Sequence, residues 1–211
     1  MIPETSRLLA FVAASLVLIL VPGPNLVYVL TRSVSQGRRA GLCSALGVEA
    51  GTLVHIAAAA FGLSALIARS DVAYTVLKYA GAVYLVHLGV RAIRRPSALD
   101  LSGTAAPTPL VRVFRAGVLV NVLNPKVALF FLAFLPQFVS ADAGTAAARG
   151  HMLVLGAVFF AIALTLDVAY ALAGGLLGAW LRGSPRFLRR QPLVVGAVYI
   201  CLGMFAAVPA A

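Results

Sequence analysis

Apolar residues in this chain come in long runs separated by short stretches rich in arginine. Six runs stand out, at about 8–31, 40–68, 72–90, 113–139, 152–181 and 193–209. Each is close to or above the roughly 20 apolar residues a helix needs to cross a bilayer core, so each predicts a membrane-spanning helix. Two of the runs are broken from within. In the first, Pro24 has no N–H and its ring clashes with the carbonyl four residues back, so the helix from Leu8 stops at Pro22-Gly23-Pro24 and a new half-helix starts there. In the fourth, Asn124-Pro125 is a start signal, with Asn as the capping acceptor and Pro at the first helical position, where its missing donor is no loss.

The pattern repeats. Gly81-Ala82-Val83-Tyr84-Leu85 returns as Gly196-Ala197-Val198-Tyr199-Ile200, each followed by a Leu-Gly pair, Leu88-Gly89 and Leu202-Gly203. Thr52-Leu53, Gly62 and Arg69 align with Thr165-Leu166, Gly175 and Arg182, and Pro22-Gly23-Pro24-Asn25 aligns loosely with Asn124-Pro125-Lys126. Three spans per copy is an odd number, so the second copy must be inserted upside down relative to the first. The predicted fold is therefore an all-α membrane protein of six transmembrane helices, built as two inverted three-helix repeats with broken first and fourth helices. The repeats cover residues 1–95 and 112–211, joined by a cytoplasmic linker at 96–111 that is rich in Ser, Thr, Ala and Pro.

Composition agrees with the membrane reading. Of 211 residues 62% are hydrophobic and 11% charged, with a mean hydropathy of +1.00, too little polar surface to coat a soluble domain. The first run is too long for a cleaved signal peptide, and Pro-Gly-Pro leads into more apolar sequence rather than a cleavage site, so the run is expected to be retained. The net charge of +11 does not indicate nucleic acid, because the basic residues sort by loop. Twelve arginines fall in the first, third and fifth connections, against Arg7, Arg69, Lys78 and Arg149 on the other side. That bias places the Arg-rich loops in the cytoplasm and both termini outside, and anionic lipid headgroups account for the basicity. Cys43 and Cys201 lie inside apolar runs and read as packing residues, with no metal-ligand spacing.

The candidate chemistry lies at the breaks and in the few intramembrane polar residues. The half-helices beginning at Pro24-Asn25 and Asn124-Pro125 direct positive dipole ends into the protein, where a carboxylate is the natural ligand. Lys126 lies too far from either end of its run for easy snorkelling and strengthens that reading. Span arithmetic puts His55 and Asp167 near mid-depth and Glu49 roughly 7 Å to the cytoplasmic side. Asp167 is the first candidate for binding and for carrying a proton, followed by His55 and Glu49. Glu49 reads equally as a residue that lines a wet vestibule, and His55 reads first as a hydrogen-bonding packing residue. Gly47/Gly51 and Gly174/Gly178 read as helix-packing contacts, which leaves homo-oligomerisation open.

Val21-Pro22-Gly23-Pro24-Asn25, with Gly37, Gly41, Gly47, Gly51 and His55, then Asn121-Val122-Leu123-Asn124-Pro125-Lys126 and Leu135-Pro136-Gln137-Phe138, resembles the LysE/RhtB superfamily of amino-acid exporters. The resemblance covers essentially the whole chain. It implies a bacterial inner-membrane carrier that exports amino acids or close derivatives, such as threonine, homoserine, leucine or basic amino acids, against protons. Glu49 is an added carboxylate where many relatives have a small or apolar residue, which either favours cationic amino acids or tunes the pocket.

Together these readings give a binding scheme. A substrate carboxylate sits at the helix starts of Pro24-Asn25 and Asn124-Pro125, assisted by Lys126, while the ammonium faces Asp167. No phosphate-binding Gly-x-x-x-x-Gly-Lys-Ser/Thr loop is present, so an ion or substrate gradient supplies the energy, and no cofactor or metal is expected. Two other classes stay open: a passive inverted-repeat channel for small solutes, and an intramembrane enzyme using His55 and Asp167 as acid and base.

Overall fold

The computed structural model describes residues 5–63, 70–94, 108–139, 144–182 and 184–208. Most of the expected linker at 96–111, the loop at Arg69 and the C-terminal residues lie outside them. Among the described residues the fold is helical, with no strand. The first run forms two helices, α1 (Thr5–Leu20) and α2 (Pro24–Gln36), bent by 52° to one another. The cause is local. Pro22 and Pro24 supply no N–H, so the carbonyls of Leu18 and Leu20 have no donor four residues on and the ladder fails at that point. It resumes with the Val27 amide on the Gly23 carbonyl at 3.0 Å. Gly37 then turns the chain with a φ of +83°, a left-handed conformation that favours glycine.

The second run is α3 (Arg38–Ala57), which continues as a π-helical segment, Ala58–Leu63. The third is α4 (Asp71–Arg94). The fourth is again a bent pair, α5 (Leu110–Val122) and α6 (Pro125–Leu129), at 47°; α6 runs on through a π segment, Phe130–Phe134, and a 3-10 turn, Leu135–Phe138. The last two are the long α7 (Thr145–Arg182) and α8 (Pro185–Ala207). Among the described residues four helices are long and apolar enough to cross a membrane, and counting each bent pair as one span raises the number to six. Both expected breaks are present, at the expected residues.

α3 is the axis of the bundle and packs on α2, α5 and α7. Its crossing with α5 is backbone against backbone. A Cβ on Gly47 would fall 2.2 Å from the Phe114 carbonyl oxygen, and one on Gly117 would fall 2.8 Å from that of Ser44. Any larger residue at either position forces the helices apart. α4 and α8 form a second close pair, through the two copies of the repeated motif: Gly89 and Gly196 each face the other's carbonyl, at 2.6 and 2.7 Å from an added Cβ. The sequence repeat is thus also a contact.

The main core is aromatic. Phe130, Phe131, Phe134 and Phe138, carried by the irregular continuation of α6, pack with Phe11 of α1 and Phe159 of α7 at centroid separations of 5.0 to 5.9 Å. Polar residues tie the helix ends. Lys78 and Gln137 donate to the carbonyls of Val208 and Ala206, at 2.7 and 2.6 Å, and so satisfy the C-terminal end of α8. Tyr28 donates to the carbonyl of Val113 at 2.7 Å, which joins α2 to α5.

Candidate functional site

The two helix breaks meet inside the bundle. Asn124 is the cap of α6: its side-chain oxygen accepts from the Lys126 amide at 3.1 Å, as a capping asparagine does. Its Nδ2 then donates to Oδ1 of Asn25, in the first turn of α2, at 2.9 Å. Lys126 reaches back to the first break and donates from Nζ to the Val21 carbonyl at 2.8 Å. That carbonyl lies at the C-terminal end of α1, where unsatisfied oxygens and the dipole favour a cation. Gly23 lies beside the lysine, where an added Cβ would be in ordinary contact with Nζ at 3.5 Å.

α7 brings a stripe of residues, one per turn, to the same place. Leu155, Phe159, Ala163, Asp167 and Ala171 succeed one another at helical spacing and are all buried. Asp167 faces Glu49 of α3 across the cavity, and Lys126 is near enough to interact electrostatically with it. Glu49 is 2% exposed and also meets Thr52 one turn along. The Thr52 oxygen accepts from Nδ2 of Asn121 at 2.8 Å, so its hydroxyl proton is free to donate to Glu49. Two carboxyl groups held side by side can share a hydrogen bond when one of them carries a proton. The remaining oxygen, Oε2 of Glu49, is buried without a hydrogen-bond partner.

These groups enclose a cavity lined by Asn25, Glu49, Thr52, Lys126 and Asp167 on its polar side. Leu18, Leu26, Val127, Phe159 and Ala163 contribute to its apolar wall. Its volume is about 30 Å³, room for a water molecule but far below the roughly 300 Å³ and upward of ordinary ligand pockets. The site is closed in this conformation. α2 starts beside it without a side-chain cap, and its residues Asn25 and Leu26, too early in the helix to bond an i−4 carbonyl, both line the cavity.

Of the residues expected from sequence, Asn25, Glu49, Lys126 and Asp167 come together here. Pro24 and Asn124 frame the site without lining it, and Pro125 is exposed at the start of α6. His55 is elsewhere. Its Nε2 lies 3.1 Å from the Asn121 carbonyl, which only accepts, so Nε2 carries the proton, and the ring stacks on Phe131 at 6.0 Å. Glu49, expected roughly 7 Å to the cytoplasmic side of mid-depth, is one of the most buried polar residues and faces Asp167. Asn121, Phe159 and Ala163 were not singled out as site residues. A lone amide inside an apolar span was a usable signal for Asn121, but an alanine and a phenylalanine in an apolar helix carry none. Among the described residues no cluster of three His, Cys, Asp or Glu could hold a metal.

A family model for LysE type translocators matches residues 16–209. The chain belongs to that family. This translocator is 30% identical over 198 residues to a homoserine/homoserine lactone efflux protein of Salmonella typhimurium, with 94% of each chain covered. It is 28% identical over 200 residues to a leucine efflux protein of Klebsiella pneumoniae subsp. pneumoniae, covering 91% of this chain and 90% of that one. It is also 35% identical over 205 residues to an uncharacterized membrane protein of Pseudomonas aeruginosa. No solved structure matches it. Membership in a family of membrane translocators removes the enzyme alternative.

Proposed function

We propose that this translocator is a secondary exporter of amino acids or close derivatives, driven by proton antiport across the bacterial inner membrane. The observation that carries the proposal is the closed cavity between Lys126 with the uncapped start of α2 on one side and the Glu49–Asp167 pair on the other. Such a site complements a zwitterion: the carboxylate meets backbone N–H groups and the ammonium meets the two carboxyls. The efflux relatives, named in part for homoserine and for leucine, support a substrate of that kind. The carboxyl pair also suggests the coupling. It holds either a proton or the substrate's ammonium, so loading one expels the other.

In this reading the six spans form two inverted repeats with both termini outside. Export follows from one repeat rocking against the other around the cavity. A passive channel fits less well, because a solute pathway would have to run through a buried, hydrogen-bonded set of ionisable groups. Counterflow in proteoliposomes tests the proposal. Internal unlabelled amino acid should drive uptake of labelled amino acid, and an inwardly directed proton gradient should drive its accumulation in the reverse sense. Equilibration without counterflow would mark a channel instead.

A further inference from the structure

We propose that Ala163 and Phe159 measure the side chain of the exported amino acid and restrict it to uncharged, compact groups. The inference rests on the export reading above and names what that site selects. In the α7 stripe, Ala163 is four residues from Asp167 and Phe159 four residues further, a rise of ~6 Å for each step. All three line the same cavity. An ammonium held at Asp167 therefore presents its α-carbon and first side-chain carbons to Ala163, and any longer side chain to the ring of Phe159. The two residues differ in what they allow. Ala163 contributes only a methyl group and leaves space. Phe159 is a fixed wall, because its ring packs on Phe130 and Phe131 at 5.1 Å from each.

Charge is sorted in the same way. The ionisable groups of the cavity, Glu49, Lys126 and Asp167, face one another, and Oε2 of Glu49 is buried without a partner among the described residues. The ammonium held at Asp167 donates to that oxygen as well. A second cation, on a lysine or arginine side chain, would point at Phe159 and the aliphatic wall with nothing to pair it, and burying an unpaired charge is prohibitive.

The test is competitive exchange in proteoliposomes with the full chain, using labelled alanine, leucine and lysine. The wild type should exchange alanine and leucine, and lysine at least tenfold less well. Ala163→Val and Ala163→Leu should lower kcat/KM for leucine tenfold or more relative to alanine. Ala163→Gly and Phe159→Leu should shift the leucine-to-alanine ratio the opposite way. A merely structural role would lower all substrates together and leave the ratio unmoved, and that result, or wild-type lysine exchange equal to leucine, would overturn the proposal. Because one set of variants narrows the site and the other widens it, a misfolded member of one set leaves the other to decide. Absence of exchange with every amino acid by the wild type would sink the export reading itself, and this inference with it.

Discussion

The side-chain amide of Asn124 donates a hydrogen bond of 2.9 Å to the side-chain oxygen of Asn25, ninety-nine positions earlier in the chain. Each asparagine stands where a helix restarts after a break, so the bond fixes the two restarts against each other. Lys126 adds a second tie in the opposite direction, from the start of α6 to the end of α1. The two breaks are therefore one structural unit at the wall of the cavity.

Asn124 has two jobs that different substitutions separate. Asn124→Ala removes the cap and the tie to Asn25, and loss of the cap alone should cost about 1 kcal/mol. Asn124→Asp keeps an acceptor for the Lys126 amide but cannot donate to Asn25. Thermal unfolding in detergent should rank wild type above Asp and Asp above Ala. Equal stabilities for the Asp variant and the wild type would show that the Asn–Asn bond contributes nothing.

Removing the lysine charge should uncouple the two breaks. Lys126→Met leaves the Val21 carbonyl buried without its donor, a loss of about 1–3 kcal/mol. Export should fall at least tenfold, because the α1 end and the α6 start no longer move together. Lys126→Arg keeps the charge but replaces a compact ammonium with a longer planar fork that does not repeat the single bond to the Val21 carbonyl, and it should rescue poorly. Wild-type rates in Lys126→Met, measured as initial export from proteoliposomes, would remove the residue from the site.

For the carboxyl pair the informative variants are neutral isosteres. Asp167→Asn and Glu49→Gln each leave a hydrogen-bonding partner but remove the exchangeable proton from one member. Asp167→Asn should abolish export driven by a pH gradient while leaving some substrate exchange at zero gradient. Glu49→Gln should do the same more weakly, since Asp167 still faces Lys126. Full gradient-driven export by both variants would exclude the pair from coupling.

The α3–α5 crossing makes a prediction about stability alone. Gly47→Val places side-chain atoms where the Phe114 carbonyl already lies, and overpacking of this kind costs about 1–3 kcal/mol. The melting temperature should fall clearly, and further than for a substitution at Gly144, where an added Cβ meets nothing within 4 Å.

Orientation is checked by reporter fusions. Fusions after Arg94 and Arg190 should report a cytoplasmic location and a C-terminal fusion an external one, as the arginine bias requires. A C-terminus on the same side as the Arg94 fusion would sink the inverted-repeat assignment or the span count.

What the sequence by itself determined is whatever rests on local covalent chemistry. Proline has no N–H, so the residues at which the first and fourth spans break could be read directly, as could the cap at Asn124. Apolar run length similarly announced the helices, and lone charges in those runs announced Asp167 and Lys126 as site candidates. Only the tertiary structure decided which polar residues meet. Depth along a span left open whether Glu49 meets Asp167, because axial arithmetic says nothing about which helix lies opposite or at what angle it crosses. The close α3–α5 approach through Gly47 and Gly117 is part of the packing that sets how α3 lies in the bundle, and it is α3's contact with α7 that brings Glu49 onto Asp167. The same packing turned His55 toward a backbone carbonyl and away from the cavity, and gave an alanine and a phenylalanine of α7 a position beside the carboxyl pair. Contacts between residues a hundred positions apart depend on crossing angles and side-chain volumes of the whole bundle, and no local pattern encodes those.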